Sequence, residues 1–71
     1  MIMAGTVKWY KTEKGFGFII PEDGDKDVFV HKSALDALGL ETLHPGQAVT
    51  MRLRQVAKGR EVVDFTLNDN A

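Results

Sequence analysis

The sequence predicts an all-β fold, a small barrel or sandwich of five short strands. Runs rich in β-branched and aromatic residues recur about every ten residues along the chain. Breaks containing Gly, Pro or Asp separate those runs. No stretch keeps an apolar period near 3.6 residues long enough for a substantial helix. Closure into a barrel is the expected architecture, because it removes exposed strand edges from a chain of 71 residues.

The elements follow in order. Gly5 to Lys11 (GTVKWYK) reads as the first strand, and Thr12 to Gly15 as a turn. Phe16 to Ile20 is the second strand, stopped by Pro21. Glu22 to Lys26 is a polar turn whose Asp23-Gly24 pair signals a hairpin. Asp27 to His31 is the third strand. Ser33 is expected to cap a short helical turn, with Leu35 and Leu38 on its apolar side and Gly39 ending it. Leu40 to Gly46 is a loop, Gln47 to Val56 the fourth strand, Lys58-Gly59 a turn, and Arg60 to Leu67 the fifth strand. Asn68 to Ala71 are expected to fray.

Composition narrows the function classes. The length fits one domain, residues 1–71, with its core between about 5 and 67. No cysteine is present, so no disulfide or thiolate metal site staples the chain. His31 and His44 lack a third partner at metal-ligand spacing. No apolar run approaches the ~18 residues that cross a bilayer, and Met1 to Thr6 do not resemble a secretory signal. A reduced, cytoplasmic, monomeric protein is expected, with no cofactor, membrane or small-molecule substrate. So small a chain leaves little room for both a core and a closed pocket, which argues against an enzyme. His31 and Ser33 are not expected to form a nucleophile pair, since no acid is placed to orient the imidazole.

The formal net charge is −1, so polyanion binding must come from local arrangement. Lys8, Lys11 and Lys14 cluster, while Glu22, Asp23, Asp25 and Asp27 read as a solvated turn. Strand alternation puts Phe16 and Phe18 on one face, and Phe29 and His31 on one face of the next strand. Large aromatics are ordinarily core residues. Three features oppose burial here: His31 shares the Phe29 face, Val28 and Val30 supply an adequate core face, and lysines flank Trp9. Facing outward together, these rings form a patch suited to unpaired bases, with lysines for the phosphates. Gly15 and Gly17 would leave the backbone beside it unobstructed, or else serve a turn and a bulge.

Lys8-Trp9-Tyr10, then Lys14 to Ile19 (KGFGFI), then Asp27 to His31 (DVFVH), with Ser33-Ala34-Leu35 and Pro45 to Val49 following, resemble the bacterial cold-shock protein family. The resemblance covers about Gly5 to Leu67. It implies a five-stranded antiparallel Greek-key barrel of the OB type, binding single-stranded RNA and DNA with little sequence preference. It implies stacking by Trp9, Phe16, Phe18, Phe29 and His31, and phosphate or edge contacts by Lys8, Lys14 and Lys58. It further implies RNA chaperoning, transcription antitermination, translational regulation and stress adaptation. Lys32 and Leu40 stand where many members carry exposed aromatics; Lys32 is expected to offer a cationic contact instead. The rival from another class is an SH3-like barrel gripping a proline-rich peptide, which leaves the lysines unexplained. An RRM would need two packed helices that this chain lacks.

Overall fold

Five strands and one short helix follow one another as β1 (Ile2–Lys11), β2 (Phe16–Pro21), β3 (Val28–His31), α1 (Lys32–Asp36), β4 (Ala48–Val56) and β5 (Gly59–Leu67). They belong to a computed structural model that describes residues 1–68. The strands close into a barrel in the order β1-β2-β3-β5-β4. Four pairings are antiparallel, and a single parallel bridge between Phe29 and Glu61 joins β3 to β5 and completes the ring. The architecture is the expected all-β, five-stranded OB-type barrel. No helix among the described residues is long and apolar enough to cross a membrane.

The core is built from alternation. Val7, Ile19, Val28, Val30, Val49, Met51, Leu53, Val62 and Phe65 point inward from the five strands and are all buried. Ala34 and Leu35 of α1 and Leu43 of the following loop plug one end. Phe65 is the only phenylalanine in this core, at 4% exposed.

Several boundaries differ from the sequence reading, each for a local reason. β1 starts at Ile2 rather than Gly5, because Ile2 to Thr6 pair with Arg52 to Ala48 of β4. Pro21 lies within β2, opposite Gly5, and the next amide, Glu22 N, donates to Ala4 O at 3.0 Å. Asp23-Gly24 does not form a two-residue hairpin. Such a turn needs positive φ at both central residues, and here only Gly24 has it, at 76°. The chain instead takes a longer loop from Glu22 to Asp27, pinned where Asp25 N donates to Asp23 Oδ1 at 3.0 Å.

The helix cap also moves. His31, not Ser33, is the N-cap: its Nδ1 accepts the Ser33 amide at 3.2 Å. Leu38 is exposed, and Leu40 packs against the core in its place. The turn after β4 is Ala57-Lys58, and Gly59 opens β5 with a φ of 137° that only glycine adopts readily. Asn68 does not fray, since its amide donates to Ala48 O at 2.9 Å and its side chain accepts from Thr50 Oγ1 at 2.8 Å. The rest of that expectation, for residues 69–71, lies outside the described residues.

Candidate nucleic-acid interface

β2 and β3 pair with Phe16 opposite His31 and Phe18 opposite Phe29. Cross-strand partners point the same way. Because Ile19, Val28 and Val30 face the core, the four rings face outward on the barrel wall. Phe16, Phe18 and Phe29 are half-buried against one another, and His31 is exposed. The reading that buries these rings in the core is therefore excluded.

Trp9 reaches the patch by a bulge. Strict alternation would send Trp9 inward beside Val7. The register jumps instead: Val7 pairs with Ile19 and Trp9 with Phe18, leaving Lys8 as the extra residue. One inserted position carries Trp9 to the outer face. Its ring lies 5.2 Å from Phe18 and 5.7 Å from Phe16, edge-on to both. Phe29 stacks on Phe16 at 5.8 Å with 23° between planes, and stands 5.9 Å from Phe18 and 6.2 Å from His31. The five rings form one connected surface. These mainly edge-to-face contacts hold the rings against one another, so a ligand base meets ordered rings.

The glycines of the motif serve the scaffold. Gly15 has a φ of 75° and turns the chain into β2. A Cβ on Gly17 would lie 2.7 Å from Tyr10 Cα and 2.8 Å from the Tyr10 ring. Gly17 thus lets β1 pass close behind the patch. The Tyr10 hydroxyl is buried there without a hydrogen-bond partner, and that burial holds its pKa above the usual tyrosine value.

The lysines fall into different situations. Lys8 donates to Asp27 Oδ2 at 2.9 Å at the patch margin. Lys14 is exposed in the β1–β2 turn, and Lys58 is exposed in the β4–β5 turn. Lys32 runs past Gly15, with its ammonium 3.8 Å from Asp36 one helical turn on. Lys11, left out of the site by sequence reasoning, places Nζ 5.8 Å from the Trp9 ring centre as a cation–π neighbour. Its place in the basic run beside Trp9 was the available signal. All three arginines are engaged elsewhere: Arg52 with Asp64, Arg54 with Glu61, and Arg60 with Asp23. The acidic loop is therefore not simply solvated.

His31 Nδ1 does approach Ser33 Oγ, at 3.3 Å, but it is already the acceptor of the helix cap. The proximity serves the turn from β3 into α1. Among the described residues no group of three His, Cys, Asp or Glu is placed to hold a metal ion.

A family model described as the "cold-shock" DNA-binding domain matches residues 3–67. A cold shock-like protein CspE of Buchnera aphidicola is 56% identical over 55 residues, 78% of this chain and 80% of that protein. A cold shock-like protein CspB of Escherichia coli is 48% identical over 67 residues, 94% of both chains. A cold shock protein of Arthrobacter globiformis is 49% identical over 63 residues, 89% of this chain and 94% of its own. An SH3-like interaction barrel would also be all-β, so strand content alone does not separate the two; the family match does. The chain belongs to the cold-shock domain family, whose members bind nucleic acid and are not enzymes.

Proposed function

We propose that this protein is a monomeric, cytoplasmic, single-domain binder of unpaired RNA and DNA that acts as an RNA chaperone. The observation that carries the reading is the connected outward surface of Trp9, Phe16, Phe18, Phe29 and His31. Bases have a π face whatever their identity, so each ring accepts any of them with little preference. Lys11, Lys14 and Lys58 form no ion pair among the described residues and border the patch or its extension, where a strand's phosphates would run. Lys8 can exchange Asp27 for a phosphate at little cost, because its present pair is solvated.

Melting follows from mass action. A stacked base contributes about 1–3 kcal/mol, against about 1.4 kcal/mol for a typical DNA base-pair step. Capturing a few unpaired bases thus offsets the loss of a few steps of weak secondary structure. No nucleotide hydrolysis is required. Transcription antitermination, translational regulation and stress adaptation are the physiological uses this activity would have, through hairpins held open in transcripts. A hairpin carrying a fluorophore and a quencher on its stem ends tests the proposal. The stem should open as protein is added, without any nucleoside triphosphate. Binding that leaves the stem closed would overturn the chaperone reading.

A further inference from the structure

Beyond Phe18 and Phe29 the aromatic surface runs into a groove of ≈ 760 Å³. Its floor is formed by those two rings. One wall is the β2–β3 loop, with Lys26 and Asp27; the other is the β4–β5 turn, with Lys58 and Gly59. A volume of this order suits a ligand of nucleotide size. The walls come from loops far apart in sequence, so something must set their spacing.

Arg60 spans that gap. Its Nη1 and Nη2 donate to the two carboxylate oxygens of Asp23, at 3.0 and 3.2 Å, across 37 positions of chain. Asp25 lies 3.7 Å away, and the Met1 sulfur lies 3.4 Å from Nη1. The Arg60 side chain is only 8% exposed. It is thus closed to a phosphate, although it belongs to the groove wall. Only a planar fork can hold both oxygens at once, which lysine cannot do. The turn it anchors has two residues, Ala57 and Lys58, between strands paired as far as Val56 and Gly59, and the Gln55 side-chain amide donates to Gly59 O at 2.8 Å.

We propose that Arg60 is a positioning residue: its fork on Asp23 straps the β4–β5 turn to the β2–β3 loop and holds open, before ligand arrives, a groove for one further unpaired nucleotide. This rests on reading the patch as a single-strand interface. A preset groove spares the ordering of the turn on binding. The affinity effect therefore comes from shape and not from the arginine's charge.

That distinction makes the test sharp. Removing the Asp23 carboxylate should raise affinity for a polyanion if charge alone matters. The strap requires the opposite. Arg60→Leu and Asp23→Ala should each weaken binding of a heptathymidine strand about three- to tenfold, with the salt slope unchanged. The double variant should be no weaker than Arg60→Leu alone, since that change already removes the whole link. Amide exchange at Val56 and Gly59, the last strand pair before the turn, should quicken about tenfold in both variants in the free protein, and thermal unfolding curves confirm that they remain folded at the assay temperature. Affinity that is unchanged or raised in Asp23→Ala, or a slope made shallower by about 0.7 in Arg60→Leu, overturns the strap. If the unaltered protein binds no single strand while exchange still responds, the nucleic-acid reading fails and the strap between the loops stands.

Discussion

Phe29→Ala separates an outward ring from a core ring. Phe29 touches Phe16, Phe18 and His31, with centroids 5.8, 5.9 and 6.2 Å away, so it sits centrally in the patch. It is only half-buried, so truncation removes about half of a full side-chain transfer energy and part of its ring contacts, about 1–2 kcal/mol of stability. Phe65, at 4% exposed, is the matched control. Its truncation should cost about 3–5 kcal/mol, much of the ~4–10 kcal/mol expected for a chain this size. Binding should respond in the reverse order. Phe29→Ala loses about 1–3 kcal/mol of stacking, a fall of roughly 5- to 150-fold. Phe65→Ala, wherever it remains folded, should bind nearly as before. Urea unfolding gives the stability of each variant, and quenching of Trp9 by a short oligothymidine gives the affinity. Equal destabilisation by the two changes, or unchanged binding by Phe29→Ala, would refute the assignment of faces.

Other consequences are independent of that ring. Tyr10→Phe removes a buried hydroxyl that has no partner and should stabilise the domain by about 1 kcal/mol, seen as a higher midpoint in urea with affinity unchanged. The hydrogen bond from Arg60 holds the Asp23 carboxyl below its ordinary pKa of 3.8. A depressed folded-state pKa gives stability that is present above the unfolded value and lost as pH falls through the folded one. The melting-temperature gap between the unaltered protein and Asp23→Ala should thus hold steady above about pH 5 and narrow as pH falls below about 4. Lys32→Phe replaces a solvated ammonium, 3.8 Å from Asp36, with a ring beside the patch. Titrations across a salt series should show tighter binding at high salt and a slope shallower by about 0.7. The unaltered protein, with its arginines already paired, should show a slope near −2, as about three phosphate contacts imply.

The barrel and the faces of β2 and β3 were legible in the sequence because alternation is a local rule, and VFVH and FGFI obey it on both sides. Trp9 was assigned to the patch by its basic neighbours, whereas the bulge at Lys8 that brings it there breaks the alternation and leaves no mark in composition. The caps were misread for a related reason. Ser33 is the better N-cap by propensity, but β3 delivers His31 to that corner, and its imidazole takes the Ser33 amide. Leu40 and Leu43 looked like loop residues and are held by the core, since contacts distant in sequence decided their burial. The engagement of Arg60 with Asp23 was equally hidden. It joins two loops that only the closed barrel brings together.

A residue-resolved map of bound single strand addresses the central claim most directly. Amide and aromatic chemical shifts would be followed as heptathymidine is added, with a duplex of the same length in parallel. The account predicts that the single strand moves Trp9, Phe16, Phe18, Phe29 and His31, with Lys11, Lys14 and Lys58 at the margins. It predicts that Thr50, Arg52 and Asp64 on the far wall stay still, and that the duplex moves the rings far less. Shifts centred on the far wall, or a duplex that perturbs the rings as strongly as the single strand, would contradict it.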